Sequence, residues 1–243
     1  DCDSLMLIAP TADLTEAEAN LLISYLETGG RLLLLTSVRT EEMPYLDYVL
    51  SAYGVAWEDG VIVEGNSNYY VPSYSTYLLP EFISHEITDP LIEAETMVLQ
   101  PMAHGIRLLE ECRSTVQIQG LTSATDQAYT QEGAQGPFIT GAAVSEMTAE
   151  GETRLVWLGC YNMIVEDVDE IVGGSNTDMV LNSLGWLAQQ ENSITVRPKA
   201  ITEASLVVPA AQAAGWGIVW ILAVPLAVVL TGAAVCIVRR RRK

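Results

Sequence analysis

The sequence predicts an α/β fold: three layers, with a mostly parallel or mixed sheet flanked by helices, plus one C-terminal transmembrane helix. Short apolar runs with strand character alternate with amphipathic helical patterns. This alternation is typical of sheets that are covered by helices on both faces. A long uncharged stretch near the C-terminus then ends in a basic tail, as membrane anchors do.

The first structural unit predicted is a strand, a helix and a second strand. Residues 5–9 and 31–36 are apolar runs, so we expect both to be strands buried on two faces. Between them, Thr15 and Glu18 have the spacing of a capping box, and Gly29 with Gly30 favours a left-handed stop. Such a unit implies parallel strands. The expected apolar face of the helix consists of Leu21, Leu22, Tyr25 and Leu26.

Later elements follow from the same patterns. A second helix is expected from Pro44 to Gly54, a strand over 60–64, and an irregular segment over 65–80. Glu150 and Gly151 indicate a tight return between two strands, which would make the sheet mixed. The other predicted strands are 97–102, 115–118, 138–144 and 154–159.

The last helix of the soluble part is expected to start at an N-terminal cap formed by Asn176, Thr177 and Asp178. Helical spacing gives this helix an apolar face that should pack on the sheet. The residues of that face are Val180, Leu181, Leu184, Trp186 and Leu187.

The C-terminal stretch predicts a membrane anchor. Residues 216–238 include no charged side chain, and at about 1.5 Å per residue they match a hydrocarbon core of roughly 30 Å. Five consecutive basic residues, 239–243, follow immediately. The positive-inside rule therefore predicts a cytoplasmic tail and an extracytoplasmic domain.

These features divide the chain into four parts. We expect an extracytoplasmic α/β domain over 1–192, a juxtamembrane linker over 193–215, the transmembrane helix over 216–238 and the cytoplasmic tail over 239–243. Because Asp1 opens the chain without an export signal, we expect the domain to be truncated at its N-terminus.

Charge is distributed very unevenly along the chain. The formal net charge is −19; all 31 acidic residues precede Ser205, and five of the 12 basic residues lie in the tail. Such an acidic outer domain should repel nucleic acid and anionic lipid headgroups. The absence of an Asn-x-Ser/Thr acceptor site favours a bacterial source.

Several segments, taken as an ordered set, resemble the gliding-motility-type ABC transporter auxiliary family (GldG-like). The resemblance covers nearly the whole chain, although no single segment would identify the family. The segments are Asp1-Cys2-Asp3, the helix from Leu14-Thr15 to Gly29-Gly30, Gly136-Pro137-Phe138, Trp186-Leu187-Ala188 and Ile194-Thr195-Val196-Arg197-Pro198-Lys199 before the anchor.

The resemblance implies a domain related to the glutamine-amidotransferase-like and intraflagellar-transport-like α/β folds. It also implies an accessory role beside an ABC permease and ATPase in the membrane. A cell-envelope polymer and a peptide cargo are further candidate partners of the outer domain. The family contributes no assigned catalytic residue, so the resemblance predicts a transport component that is not an enzyme and needs no cofactor.

Cys160 is the candidate for the alternative, an enzyme. The related amidotransferase fold uses a cysteine on a sharp strand-to-helix turn with a histidine base, and Cys160 follows a predicted strand. The second flanking glycine of such a turn is absent, and only His85 and His104 could act as the base. The alternative is that Cys160 is a small, partly buried thiol at a strand end.

Cys2, Cys112 and Cys160 leave room for one disulfide, which their spacing does not assign.

Metal and phosphate sites are not indicated by the sequence. The two histidines lack the closely spaced partners of a zinc site. The acidic run 166–170 offers oxygen ligands but lacks the loop spacing of a calcium site, and we expect it to be a solvated loop. Gly173-Gly174-Ser175-Asn176 lacks the lysine of a phosphate-binding loop, so an ATPase partner would be another chain.

The best candidate for a binding surface is a group of tyrosines in the segment expected to be irregular. Tyrosine on loops is common in surfaces that bind peptides, glycans or proteins. The alternative is that these rings pack the segment onto the sheet. The candidate binding residues are Tyr69, Tyr70, Tyr74, Tyr77 and, on a nearby polar turn, His85.

Three functional hypotheses result. The leading one is a non-catalytic transporter auxiliary whose outer domain binds cargo, wall polymer or a partner subunit. The second is a surface hydrolase or amidotransferase-like enzyme that uses Cys160. The third is a surface binding module that is independent of any transporter.

Overall fold

A computed structural model describes residues 4–189 and 215–241. Its main element is a mixed sheet of eight strands flanked by helices, which confirms the predicted α/β class. The strands of this sheet, in spatial order, are β1 (Leu5–Ile8), β2 (Arg31–Leu35), β13 (Glu152–Leu158), β12 (Ile139–Met147), β10 (Val116–Ser123) and β7 (Glu81–Phe82), with β9 (Gly105–Leu108) beside β12 and β3 (Val55–Glu58) beside β9.

Two smaller sheets and a set of helices complete the domain. The small sheets contain β4 (Ile62–Val63) with β11 (Tyr129–Thr130), and β5 (Tyr70–Val71), β6 (Tyr74–Leu78) and β8 (Gln100–Pro101). The helices are α1 (Glu16–Glu27), α2 (Pro44–Ala52), α3 (Asp89–Glu93), the 3₁₀ turn Tyr161–Ile164, α4 (Glu166–Ile171) and α5 (Ser175–Leu187).

The first unit is as predicted. Strands β1 and β2 are parallel and are joined by α1. The Thr15 amide donates to Glu18 Oε2 at 2.8 Å, and the Glu18 amide donates to Thr15 Oγ1 at 3.3 Å. Both halves of the capping box are therefore formed. Gly29 follows the helix at φ +86°, in the left-handed region that glycine adopts without steric cost.

The two faces of the sheet carry separate apolar cores, which gives three layers. Leu32 and Leu34 of β2 pack with α1 and α2 on one face, whereas Leu33 and Leu35 belong to the core that includes residues of α5 on the other. All four leucines are fully buried, so the prediction of two-sided burial is confirmed for β2.

The same prediction is wrong for β1. Leu5, Met6 and Ile8 are 39%, 44% and 42% exposed, and among the strands that the structure describes β1 pairs with β2 alone, at the end of the sheet. An edge strand has a neighbour on one side only, so an apolar run there is covered less completely than one in the middle of the sheet.

Antiparallel strands form the other half of the sheet, as the predicted return at Glu150 and Gly151 required. Strands β12 and β13 pair antiparallel from Gly141 with Leu158 to Met147 with Glu152. At the turn, the Thr148 amide donates to the Gly151 carbonyl at 2.8 Å. Strand β13 is parallel to β2 on its other side, so β13 joins the parallel and antiparallel halves.

Two predicted helix faces are too wide. Leu21 of α1 is 71% exposed and Leu181 of α5 is 44% exposed, whereas Leu22, Leu26 and Leu187 are buried. Each helix lies on one face of the sheet, so only a stripe of side chains spaced three or four residues apart reaches the core.

The predicted cap of α5 is also wrong. Gly174, at φ +88°, occupies the cap position, and Asn176 is buried in the first turn. Its Oδ1 accepts from the Leu99 amide at 2.9 Å, and its Nδ2 donates to the carbonyls of Leu99 and Met163 at 2.9 and 2.8 Å. Asn176 therefore joins three separate segments, a role that local sequence could not show.

Between α2 and β9 the sequence patterns misplace the strands. The strand expected over 60–64 is only the two-residue β4, and the one expected over 97–102 is only β8. The sequence analysis missed the four-residue strand β3, which pairs with β9 from Val55 with Leu108 to Glu58 with Gly105. Gly54, at φ +72°, turns the chain from α2 directly into β3. The helical pattern of α2 and the strand pattern of β3 are therefore hardly separated along the sequence.

One described helix is long and apolar enough to span a membrane, as predicted. It covers Gly215–Gly232, has a mean hydropathy of 2.0 and is not buried against the domain. It includes a π-helical turn at Val219–Ala223, followed by α6 (Val224–Arg241). Pro225 lies just after that turn and cannot donate a backbone hydrogen bond, which suits a local change of helical pitch.

The predicted linker up to residue 214, and residues 242–243 of the tail, lie outside the described residues.

Candidate functional site

The tyrosine segment forms a hairpin, which corrects the expectation of an irregular loop. Strands β5 and β6 are antiparallel and are joined by Pro72 and Ser73, the latter at φ +72°. Proline followed by a residue of positive φ suits a tight turn. Strand β6 also pairs with β8. We call this unit, together with Tyr69 and Glu81, the tyrosine hairpin.

The segment before the tyrosine hairpin contains a buried carboxylate, Glu64. Glu64 is 2% exposed, and its amide donates to the Ser75 carbonyl at 2.9 Å. Its side chain accepts from the Asn66 amide at 2.9 Å and from the Thr125 hydroxyl and amide at 2.6 and 3.0 Å. These three donors satisfy the buried carboxylate and tie the segment before the hairpin to the loop before β11.

The four tyrosines differ in their environment. Tyr74 is 59% exposed, and its ring centroid lies 5.3 Å from that of Tyr77, with an angle of 45° between the planes. Tyr69, Tyr70 and Tyr77 are half-buried. The hydroxyl of Tyr69 donates to Glu81 Oε1 at 2.5 Å, and this bond, followed by burial, raises the pKa of Tyr69. Tyr74 is thus the member with the most surface to offer a ligand.

His85, the fifth candidate binding residue, contacts α5. Its ring meets Trp186 of α5 edge to face, with 5.2 Å between centroids, and its Nδ1 accepts from the Ile87 amide at 3.1 Å. Burial lowers the pKa of His85. Among the described residues, the ring of His85 contacts Ile87 and Trp186, and its assignment to the tyrosine group stays a prediction.

Cys160 is buried at the end of β13. It is 1% exposed, and its thiol donates to the Pro101 carbonyl, with 3.1 Å between Sγ and O. Burial raises the pKa of Cys160 to about 12. The reactive form of cysteine is the thiolate, which this environment disfavours. Cys160 and Cys112 are both free thiols; Cys2 lies outside the described residues.

Both ring nitrogens of His104 form hydrogen bonds with groups other than Cys160. Its Nε2 lies 2.7 Å from Thr36 Oγ1, and its Nδ1 lies 2.8 Å from the Gly105 carbonyl. Because a carbonyl can only accept, Nδ1 carries the proton and Nε2 accepts from the Thr36 hydroxyl. Burial lowers the pKa of His104 to about 4. With both ring nitrogens occupied, His104 is not placed to take a proton from Cys160.

The surroundings of His104 form a buried aromatic and polar cluster that the sequence analysis missed. Trp157 Nε1 donates to Thr36 Oγ1 at 2.7 Å, and Trp57 stacks on His104 with 4.6 Å between centroids. Arg39 lies over Trp57, with Cζ 5.2 Å from the ring centroid. Thr36 immediately follows β2, and functional groups usually gather at the carboxyl ends of parallel strands. The position of Thr36 in the sequence was therefore the signal that could have indicated this cluster.

The acidic run 166–170 forms α4 rather than the expected loop. Asp169 accepts from the Thr177 amide and hydroxyl at 3.1 and 2.5 Å, so part of its charge stabilises the first turn of α5. Within residues 4–189 and 215–241, no group of three or more side chains is placed to hold a metal ion.

A cleft of about 440 Å³ lies between β9 and the segment before β12. Arg107 and Phe138 are among its lining residues. Arg107 forms an ion pair with Glu58 at 3.3 Å and donates to the Trp57 carbonyl at 3.2 Å.

Comparisons with known proteins bear on the fold. No protein-family model and no curated protein matches the chain. Among solved structures, the mmIFT52 N-terminal domain is similar, with a TM-score of 0.58 and 17% sequence identity over 78% of this chain and 77% of that chain. At this identity the likeness shows a shared fold alone, and the resemblance to the GldG-like family remains a prediction.

Proposed function

We propose that this chain is a membrane-anchored, non-catalytic auxiliary component of an ABC-type transport system, whose outer domain binds cargo, cell-envelope polymer or a partner subunit. The observation that carries the proposal is the unburied apolar helix Gly215–Gly232 behind an acidic α/β domain. Such a helix needs a lipid environment, and the ordered segments shared with the GldG-like family supply the transport context.

The orientation is proposed from charge. Five basic residues follow the apolar segment, while the domain before it is strongly acidic; the positive-inside rule then places the domain outside and the tail in the cytoplasm. In a variant with its four cysteines replaced by alanine, an impermeant maleimide should label Glu150→Cys but not Arg242→Cys in intact cells. Labelling of the tail alone would reverse the topology.

The non-catalytic part of the proposal is supported by the positions of the candidate nucleophile and base. Cys160 is buried beside a carbonyl, and His104 uses both ring nitrogens in other hydrogen bonds. An activated nucleophile needs a base within hydrogen-bonding reach, and neither histidine is bonded to Cys160 among the described contacts.

Association with a transporter can be tested by purification from native membranes. We expect the tagged chain, extracted in mild detergent, to carry an ABC permease and ATPase in amounts comparable to its own by quantitative mass spectrometry. The matched control keeps the outer domain but replaces 216–238 by an unrelated spanning helix. Recovery of the intact chain without either subunit would contradict the transporter proposal and favour an independent surface binding module.

A further inference from the structure

We propose that the tyrosine hairpin binds a peptide segment that carries lysine or arginine side chains. This inference rests on the proposed role of the outer domain as the binding part of the protein and names the chemistry of its ligand. Three features of the hairpin carry it: a pair of tyrosine rings of which one is exposed, a positioned carboxylate, and the absence, among the described residues, of an ion pair that would compete for that carboxylate.

The aromatic pair supplies faces that attract a cation. Tyr74 is 59% exposed and follows the turn of the hairpin, and its ring lies in tilted contact with that of Tyr77, at 5.3 Å between centroids. An ammonium or guanidinium group within about 6 Å of a tyrosine ring is attracted by its π-electrons. The ring edges also cover the aliphatic part of a lysine or arginine side chain.

The carboxylate of Glu81 is held beside the hairpin by Tyr69. The tyrosine hydroxyl donates to Oε1 at 2.5 Å, while Glu81 itself is exposed. No described side chain donates to Oε2, so that oxygen is available to accept a charge-assisted hydrogen bond from a ligand. Because Tyr69 fixes the carboxylate in advance, less conformational entropy is lost when the ligand binds.

Among the described residues, no lysine or arginine forms an ion pair with a carboxylate of the tyrosine hairpin. Between Arg39 and Arg107 the sequence contains eleven acidic residues and no lysine or arginine. Those two arginines are already paired, with Asp59 at 2.6 Å and Glu58 at 3.3 Å. A cationic peptide therefore meets attraction at the hairpin without an internal competitor, whereas an anionic ligand meets repulsion.

The experiment uses the full chain in nanodiscs of phosphatidylcholine at physiological salt. The probes are an amidated tri-lysine peptide, an amidated tri-arginine peptide, the tri-lysine peptide with acetylated side chains, and tri-N-acetylglucosamine as a neutral glycan. The hairpin variants are Tyr74→Leu, Tyr74→Phe and Glu81→Gln. Their matched controls on α2 and the loop before it are Tyr48→Leu and Glu42→Gln, which alter an exposed tyrosine and an exposed glutamate.

We expect the two cationic peptides to bind and the acetylated peptide to bind at least tenfold more weakly. Tyr74→Leu and Glu81→Gln should each weaken binding by on the order of three- to thirtyfold, whereas Tyr74→Phe keeps the aromatic face and should retain most of it. Tyr48→Leu should change nothing, and Glu42→Gln should change binding by less than about twofold.

Three results would overturn the inference: no binding of either cationic peptide, equal losses in the hairpin and control variants, or preference for the acetylated peptide or the glycan. Equal losses would show that the overall negative charge attracts the peptides without a site. Because no transporter subunit is present in this assay, its failure would leave the copurification of permease and ATPase unaffected, and the two proposals fail separately.

Discussion

Burial determines the reactivity of single residues in this protein more than their residue type does. Cys160 and His104 are the residue types of a nucleophile and a base, yet each is enclosed in the core and bonded to other partners. Low-dielectric surroundings disfavour the charged forms that such chemistry needs. The directions of their pKa shifts, upward for the thiol and downward for the imidazole, both follow from that one cause.

The Cys160 thiol should be nearly inert in the folded protein. With a pKa of about 12, only on the order of 1 in 10⁴ molecules carries the thiolate at pH 8. In a background with Cys2→Ser and Cys236→Ser, maleimide labelling should be fast at the half-buried Cys112 and slow at Cys160 until denaturant is added. Comparable rates in the native protein would contradict the burial of Cys160.

We also expect Cys160→Ala to leave any transport phenotype intact when the protein is present at normal abundance.

Acid should destabilise the domain through His104. Its folded pKa of about 4 lies below the usual value of 6.5, so the unfolded chain binds more protons between those values. The contribution of His104 is therefore complete above pH 6.5 and is lost as pH falls towards 4, amounting to as much as about 3 kcal/mol.

Denaturation at a series of pH values, with NMR titration of the two histidine rings, measures this effect. Substitution of His85 by glutamine assigns the signals, because the chain has only 2 histidines. A His104 ring that titrates near pH 6.5 in the folded protein would show that its hydrogen bonds are open to solvent.

At the scale of elements, position in the sheet decides how an apolar strand is covered. Strand β2 has neighbours on both edges and its leucines are buried, whereas β1, with a similar sequence, has one neighbour and three exposed side chains. The apolar run alone could not distinguish the two, because strand propensity and apolarity are properties of the segment and edge position is a property of the whole sheet.

Glu64 holds the segment before the tyrosine hairpin against the loop that contains Thr125. Glu64→Ala leaves the Thr125 hydroxyl and two backbone amides without their acceptor, and each buried unsatisfied donor costs about 1–3 kcal/mol. We expect a loss of roughly 2–5 kcal/mol by chemical denaturation, with faster hydrogen exchange at Asn66 and Thr125.

The matched control for that change is Glu81→Ala, at an exposed carboxylate, which should lower the free energy of unfolding by less than about 1 kcal/mol.

Tyr74→Ala should likewise change stability little, because the side chain is 59% exposed. Replacement of the half-buried Tyr70 by alanine should lower stability more. A large fall in melting temperature for Tyr74→Ala would show that its ring packs the hairpin and would remove it as a binding residue.

At the scale of the whole molecule, an acidic α/β domain is combined with a single apolar helix. The helix Gly215–Gly232 is unburied, so the domain does not cover it. Leu222→Asp with Leu226→Asp places two charges in the apolar segment, at about 2.5–3.5 kcal/mol each near a bilayer centre. We expect this variant to be released from membranes by alkaline carbonate, while Leu222→Ile with Leu226→Ile stays in the membrane fraction. Equal retention of both variants would contradict a bilayer-spanning anchor.

The sequence by itself determined the features that depend on local chemistry. The capping box at Thr15 and Glu18, the stop at Gly29, the return at Gly151 and the apolar length of the anchor each require only residues that are neighbours along the chain. The α/β class follows as well, because the alternation of helical and strand patterns is also local.

Only the tertiary structure decided which of these local elements meet. Asn176 has the sequence of a helix cap but bonds to Leu99 and Met163 instead, and the tyrosines expected on a loop lie on a hairpin fixed by Glu64 and Thr125. These partners are separated by 13 to 77 positions along the chain. Such pairings depend on how the sheet is ordered and which face a helix covers, and the periodicity of a segment contains no information about the residues it will contact.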